Sequence, residues 1–257
     1  MILRAIGLAF STFSRIPMPV MKNEEKIKKA RSYTLCFFPL VGLVIGALWF
    51  LWMIMADMFA FNNVLTAAGS TVLPILVTGG IHMDGFCDVT DAFSSWQTRE
   101  RRLEILKDPH VGAFAIIGCI VYFISYFGIM STIRFNEVVP VFACTFIISR
   151  ALSSLASVCF KNARPGGMLD SFSSVSTKKS VVISSAVYMI IAIVIMSFAD
   201  WRLAIVSVIT SLLVLLWYRI ISYKRLGGIT GDTAGWFVEV TELAAAVTVC
   251  IAAGIFY

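Results

Sequence analysis

The stretch that decides the fold class spans residues 181–218 and reads VVISSAVYMIIAIVIMSFADWRLAIVSVITSLLVLLWY. Asp200 and Arg202 are the only charged residues in it, and they separate two apolar segments. A helix needs roughly 20 mainly apolar residues to cross a bilayer. The stretch therefore predicts two transmembrane helices, Val181–Ala199 and Leu203–Ser222.

The rest of the chain has the same character. Hydrophobic residues make up 59% of the 257 residues and charged residues only 14%, whereas soluble domains are roughly 45–50% apolar and about 25% charged. A soluble chain of this length has too little interior to bury that excess. We predict an all-α, polytopic integral membrane protein with about seven transmembrane helices, the other five being Thr34–Ala56, Phe61–Ile81, Val111–Ile133, Val138–Val158 and Ala234–Tyr257.

Residues 1–20 differ from these spans. Arg4 and Arg15 bracket an apolar stretch that is too short to cross a bilayer, and Pro17 and Pro19 then interrupt it. We predict an N-terminal interfacial or re-entrant segment. A cleaved signal peptide is the alternative, but a convincing small-residue cleavage site is lacking. We expect residues 1–257 to form a single transmembrane catalytic domain.

The basic residues predict the topology. They cluster before the first predicted span and after the second, fourth and sixth, whereas the opposite side holds only Arg134 and Arg202. Positive residues favour the cytoplasmic side, so we predict a multi-pass protein of the cell (inner) membrane with these loops in the cytoplasm. The net charge of +6 does not indicate nucleic-acid binding, because the basic residues are scattered and lack interleaved aromatic residues. The clusters include Lys22, Lys26, Lys28, Lys29, Arg31, Arg99, Arg101, Arg102, Lys107, Lys161, Arg164, Lys178, Lys179, Arg219, Lys224 and Arg225.

A first acidic motif follows the second predicted span, where residues 79–91 read GGIHMDGFCDVTD. Asp84, Asp88 and Asp91 are spaced four and three residues apart, which puts them on one face of a helix. Three neighbouring carboxylates repel one another unless a cation lies between them, and their oxygens suit Mg²⁺. His82 stands at the edge of this cluster. The alternative is a solvated polar helix start with no ligand.

A second acidic motif opens the last predicted span, where residues 227–235 read GGITGDTAG and Glu239 and Glu242 follow. Ionisable residues inside an apolar helix are costly and usually functional. Asp232 alone could be a helix N-cap. The glycine-rich approach, including Gly231, lets the backbone come close to a phosphate.

Both motifs fall on the same predicted side of the membrane, so they predict a shared one- or two-metal site. Such a site suits phosphoryl transfer, in which metal ions neutralise charge on diphosphate oxygens. Lys107, Arg150 and Arg164 are candidates to hold that anion. Alternatively, Arg150 snorkels to the membrane surface and Lys107 only ends a helix.

These motifs resemble the cobalamin synthase family, also called adenosylcobinamide-GDP ribazoletransferase. The resemblance covers nearly the whole chain and includes Ser14–Pro19, Phe38–Gly42 with Gly46, Gly79–Asp91, Leu106–Asp108 with Gly112, Ser149–Arg150, Ala163–Pro165 and Gly227–Glu242. The chain departs from the family pattern at Ala92–Phe93, Pro109–His110 and Gly167–Met168.

The resemblance implies a Mg²⁺-dependent reaction in which α-ribazole, or its 5′-phosphate, attacks adenosylcobinamide-GDP and releases GMP. It implies three sets of residues: metal ligands (Asp84, Asp88, Asp91, Asp232), catalytic groups (His82, Glu239, Glu242) and substrate-binding groups (Lys107, Arg150, Arg164, Gly231). The expected partners are these substrates and the lipid bilayer, and a homo-oligomer is left open. The alternatives are a CDP-alcohol phosphotransferase, whose D-x-x-D-G-x-x-A-R pattern is absent, and an ion-coupled transporter, for which no internal repeat is evident.

Overall fold

The computed structural model describes residues 1–19, 24–133 and 137–257. Lys22 and Arg134, which entered the topology prediction, lie outside these ranges. Within them the regular structure is helical apart from one isolated β-bridge. The helices are α1 (Ile2–Phe13), α2 (Glu24–Arg31), α3 (Phe38–Met58), α4 (Asn63–Thr78), α5 (Ile81–Ser94), α6 (Arg99–Ile105), α7 (Ala113–Met130), α8 (Val138–Cys159), α9 (Met168–Ser173), α10 (Lys178–Leu226) and α11 (Gly231–Phe256), with a 3₁₀ turn at Thr34–Phe37.

Five stretches among the described residues are long and apolar enough to cross a membrane, and α4 with α5 makes a sixth when that bent pair counts as one span. The all-α membrane class is therefore confirmed, whereas the predicted number of seven is not. Two of the seven predicted spans lie in one element, because α10 runs for 49 residues. The five stretches are Thr34–Met58, Ala113–Met130, Val138–Cys159, Lys178–Leu226 and Gly231–Phe256.

Helix α10 has a break at Asp200, whose backbone is not helical (φ −157°, ψ 113°). The Asp200 carboxylate accepts hydrogen bonds from the backbone N–H groups of Arg202 (2.7 Å) and Leu203 (3.3 Å). An N-cap side chain bonds the first turn of a helix in this way. Asp200 thus starts the second half of α10, where the sequence predicted the second apolar segment. That each half crosses a bilayer stays a prediction.

The predicted span Phe61–Ile81 is wrong at its C-terminal end. Helix α4 stops at Thr78, and Gly79 and Gly80 follow with φ values of +67° and +79°. Glycine adopts these left-handed conformations without the steric cost that a Cβ imposes. The chain bends by 96° between α4 and α5. The acidic motif therefore lies on its own helix, at an angle to the apolar helix before it.

Helix α8 forms the centre of the bundle and packs against α3, α10 and α11. Two glycines of α3 allow this close contact, because carbonyl groups of Phe146 and Ala143 occupy the space that side chains at Gly42 and Gly46 would need. Small residues at helix interfaces commonly let membrane helices approach one another. Helix α11 packs against α5, α8 and α10, so the last helix of the chain lies beside the acidic one.

Helix α1 has 12 residues and is too short to span a bilayer. It packs on α2, on the 3₁₀ turn and on α3, and it buries Ala5, Ala9 and Phe10. This agrees with the predicted non-spanning N-terminal segment, while its position at a membrane interface stays a prediction.

Candidate active site

Four aspartates from two helices lie near one another in the bundle. Asp84 is exposed on α5, Asp88 and Asp91 are half-buried on the same helix, and Asp232 lies in the first turn of α11. The negative charges of the other three all act on Asp88. The four residues predicted as metal ligands, called the aspartate cluster below, are therefore neighbours.

The chemistry of the aspartate cluster fits a divalent cation. Carboxylate oxygens are the ligands that Mg²⁺ prefers, and several like charges in a partly buried space are unfavourable without a cation. Within the described ranges, however, no three His, Cys, Asp or Glu side chains form a group that could hold a metal as they stand. The donor set thus fits Mg²⁺ in charge and hardness, and the metal stays a prediction.

A glycine brings the two helices into contact. A Cβ atom at Gly85 would lie only 2.7 Å from the backbone oxygen of Asp232, a distance that real Cβ atoms essentially never show. At Gly235 of α11 an added Cβ would lie 3.1 Å from the backbone oxygen of His82, which is a tight contact. The aspartate cluster therefore depends on small residues in both acidic motifs.

We expect Gly85→Ala to lower both stability and activity, because α5 and α11 would have to separate. Gly254→Ala is the matched control, since it lies in α11 with nothing within 4 Å of the added Cβ. Alanine in a helix is favoured over glycine by about 0.5–1 kcal/mol, so the control should be neutral or stabilising. Thermal unfolding in detergent measures both variants. Equal melting temperatures for the two variants would contradict the close α5–α11 contact.

Arg164 lies near the start of α11, because two backbone hydrogen bonds join the loop after α8 to the loop before α11. The N–H of Ala163 donates to the carbonyl of Ile229, and the N–H of Ile229 donates to the carbonyl of Lys161, both at 2.8 Å. Arg164 is close enough to attract the Asp232 carboxylate electrostatically. Together with Gly231 and Asp232 it lines a cavity of about 130 Å³. Two predicted substrate-binding residues thus adjoin the aspartate cluster, where a guanidinium and backbone N–H groups suit an anion.

A second cavity, of about 140 Å³, opens beside the same aspartates. Asp84, Asp232 and Gly231 form its polar side, and His82 forms part of its wall. His82 is only 5% exposed, and its Nε2 atom is buried with no hydrogen-bond partner. The rest of the wall is mainly apolar, from Phe13, Leu35, Phe38, Leu169 and Phe172. We call this the aromatic cavity.

The two glutamates of α11 bond to residues of α7 and α8, apart from the aspartate cluster, and their part in a shared metal site stays a prediction. Glu242 accepts hydrogen bonds from Arg150 Nη1 (2.5 Å) and from Ser149 Oγ (2.8 Å). Glu239 accepts one from the Tyr122 hydroxyl (2.6 Å). Both carboxylates are buried. The cation that compensates Glu242 is therefore Arg150 from α8.

This pairing gives Arg150 a buried partner that the sequence did not predict. Its side chain is 1% exposed and bonds to Glu242, to Ser149 and to the carbonyl of Phe146. A guanidinium in these contacts is part of the bundle interior and is not available at the surface to hold diphosphate. Glu239 lies seven residues beyond Asp232, about 10 Å along the helix, which explains the separation. Catalytic roles for Glu239 and Glu242 stay predictions.

Lys107 lies exposed just after α6, at the start of a loop that returns to the aspartate cluster. Gly112, at the end of that loop, packs directly on the Asp91 carboxylate, which occupies the space of a Cβ. Within the loop, the N–H and the ring of His110 bond Asp108, and these bonds lower the pKa of the Asp108 carboxyl. Lys107 is thus near Asp91 along the chain, and its contact with substrate stays a prediction.

Sequence reasoning missed three contributors to this region. Tyr122 lies in the apolar run of α7 with no polar spacing to mark it. Ser149 stands beside Arg150 in a stretch that resembled the family, but its bond to Glu242 had no local signal. Two aromatic residues of the cavity, Phe13 of α1 and Phe172 of α9, look like ordinary apolar residues in sequence, whereas Phe38 of α3 stands in a stretch that resembled the family.

Known proteins resemble this chain over nearly its whole length. The family described as cobalamin-5-phosphate synthase matches residues 5–250. A protein of Lachnoclostridium phytofermentans named adenosylcobinamide-GDP ribazoletransferase is 44% identical over 98% of this chain and 95% of its own length. Proteins with the same name from Clostridium botulinum and Desulfitobacterium hafniense are each 30% identical, covering 96% and 93% of this chain and 97% and 92% of their own lengths.

No solved structure matches the chain. The family match extends over nearly all its residues and includes both helices of the aspartate cluster. The chain belongs to the cobalamin-5-phosphate synthase family.

Proposed function

We propose that this protein is an adenosylcobinamide-GDP ribazoletransferase that acts in a last step of cobalamin synthesis. The relatives carry this name, and the family covers nearly the whole chain. The observation that carries the proposal is the meeting of four carboxylates from α5 and α11 beside Arg164. Phosphoryl transfer is promoted by groups that position the reactants and stabilise negative charge, and metal-binding carboxylates beside a guanidinium can do both.

The reaction joins a free ribose hydroxyl oxygen of α-ribazole, or of its 5′-phosphate, to the phosphorus that carries the cobinamide. The bond from that phosphorus to GMP breaks, and GMP leaves with the electron pair. The proton of the attacking hydroxyl must go to a base. We assign it to a carboxylate lining the aromatic cavity, Asp84 or Asp232.

The remaining residues of the site bind the metal and orient the substrates. We assign Asp84, Asp88, Asp91 and Asp232 to hold Mg²⁺, which when bound would neutralise charge on the diphosphate oxygens. Arg164 and the backbone at Gly231 would bind the diphosphate, with Lys107 as a further cation nearby. Arg150 has a structural part in this scheme, as the counter-ion of Glu242.

The assay is direct. Purified protein is incubated with adenosylcobinamide-GDP, α-ribazole and Mg²⁺, and released GMP is measured. We expect GMP together with the cobalamin product, and a loss of both when a chelator removes Mg²⁺. A chain that instead transfers a phosphatidyl group from a CDP-activated lipid would be the alternative phosphotransferase.

We further propose that the protein lies in the cell inner membrane with the aspartate cluster on the cytoplasmic side. The basic loops support this orientation, because positive residues favour the cytoplasm. The substrate also carries a nucleotide, which is made in the cytoplasm.

We expect a cysteine introduced at the exposed Ser174 to react with a membrane-impermeant thiol reagent only after cells are opened. Cys159 is also exposed, so it is first replaced by serine. An outward control is a cysteine at the exposed Asp57, which lies at the far end of α3. Reaction at Ser174 in intact cells would reverse the topology.

A further inference from the structure

The aromatic cavity has two chemically different ends. One end is formed by Asp84 and Asp232, and the other by aromatic and aliphatic side chains of α1, α3 and α9 with the 3₁₀ turn. The ring centres of Phe13 and Phe38 are 4.3 Å apart, and those of Phe13 and Phe172 are 6.1 Å apart. These rings contact one another and form one continuous apolar wall, against which a flat, largely apolar group can pack while its polar attachment points to the aspartates.

The polar groups at the apolar end are few. The Ser157 hydroxyl donates to the carbonyl of Ser153 at 2.8 Å and is thus already engaged. The Nε2 atom of His82 has no partner, although it is buried and its ring lies 5.5 Å from that of Phe38. A buried polar atom without a partner is costly, so a ligand that bonds this nitrogen would be favoured.

The two substrates offer different bases to such a site. Guanine carries several donors and acceptors around its edge, and an apolar wall would leave most of them unpaired at a large cost. The base of α-ribazole is a dimethylbenzimidazole, which is apolar except for one ring nitrogen that is not bonded to the ribose. A mainly aromatic and aliphatic wall, with His82 and Ser153 as its polar members, matches the second base.

We propose that the aromatic cavity is the binding site for the benzimidazole base of α-ribazole. The inference rests on the proposed function and adds the location of the acceptor. The base packs against the wall formed by Phe13, Phe38 and Phe172, and a small turn of the His82 ring in the same wall lets Nε2 donate to the free ring nitrogen. The ribose then lies towards the mouth, which presents its attacking hydroxyl to Asp84 and Asp232.

The test separates the two substrates. Phe172→Leu should raise the KM for α-ribazole about tenfold, as expected when one aromatic contact is lost, and leave the KM for adenosylcobinamide-GDP within about twofold. Phe142→Leu is the matched control: it is also a buried phenylalanine, but it lies on α8 about three turns before Ser153. We expect it to change neither KM.

A binding measurement removes the dependence on turnover. Equilibrium dialysis of labelled α-ribazole, without Mg²⁺ and without the other substrate, should show binding to the wild type and weaker binding to Phe172→Leu. Leu169→Phe fills part of the cavity without removing a buried ring, so it should also weaken the binding of α-ribazole. This second variant serves as the test if Phe172→Leu does not fold.

The outcomes are distinct. A raised KM for adenosylcobinamide-GDP alone would place the other substrate in the cavity and overturn the inference. Unchanged α-ribazole binding by both variants would overturn it as well. The absence of GMP release by the wild type would instead refute the proposed function.

Discussion

Replacing Asp88 with asparagine should lower the rate of GMP release by about 100-fold or more while the protein remains folded. Loss of a residue that only supports a metal ligand already costs about 10–100-fold, so loss of a ligand should cost at least as much. Asp88 is the best choice within the aspartate cluster, because the charges of Asp84, Asp91 and Asp232 all act on it. Asparagine keeps the size of the side chain and removes its charge.

The matched control is Asp57→Asn. Asp57 is exposed near the end of α3, outside the cluster. We expect it to keep wild-type turnover. Raising the Mg²⁺ concentration should partly restore Asp88→Asn if the residue binds metal. Wild-type activity in Asp88→Asn would refute the metal assignment, and a lowered melting temperature would show a structural role instead.

Replacing Arg150 with methionine should destabilise the protein by about 3–5 kcal/mol, the usual cost of breaking a buried ion pair. The substitution leaves the Glu242 carboxylate buried without its cation. Methionine fills much of the same space, so lost packing contributes little. Unfolding in detergent, followed by thermal melting or denaturant titration, measures the change.

The double variant Arg150→Met with Glu242→Gln separates charge from shape. It removes both charges of the pair, so it should be more stable than Arg150→Met alone, as residues that act as one unit are not additive. Additive losses would show that the two residues stabilise the bundle independently. A stable Arg150→Met protein with a raised KM for adenosylcobinamide-GDP would revive the diphosphate role that the sequence predicted.

The aspartate cluster could be predicted because its pattern is local. The spacing of Asp84, Asp88 and Asp91 fixes a shared helix face whatever the rest of the fold does. The sequence also predicted that this face lies near Asp232, because both motifs fall on one predicted side of the membrane. The contact between α5 and α11 agrees with that prediction.

Other features were not readable because they depend on distant residues or on backbone geometry. Glu242 and Arg150 are 92 residues apart, so nothing in either sequence neighbourhood identifies the other as its partner. Both residues looked functional because they are charged in apolar helices, and the structure shows that they compensate each other. The Gly79–Gly80 bend also escaped prediction, since the apolar pattern continues smoothly through it.

The distance in sequence between Arg150 and Glu242 affects how the protein is assembled during its synthesis. The ribosome adds about 5–20 residues per second, so Arg150 exists for roughly 5–18 s before Glu242 is made, 92 residues later. During that interval the Arg150 guanidinium lacks the carboxylate that it pairs with in the folded bundle, and a charged side chain within an apolar helix is costly in a membrane. We expect α8 to stay hydrated, or beside the insertion machinery, until α11 arrives. The final helix would thus release the nascent bundle into the lipid.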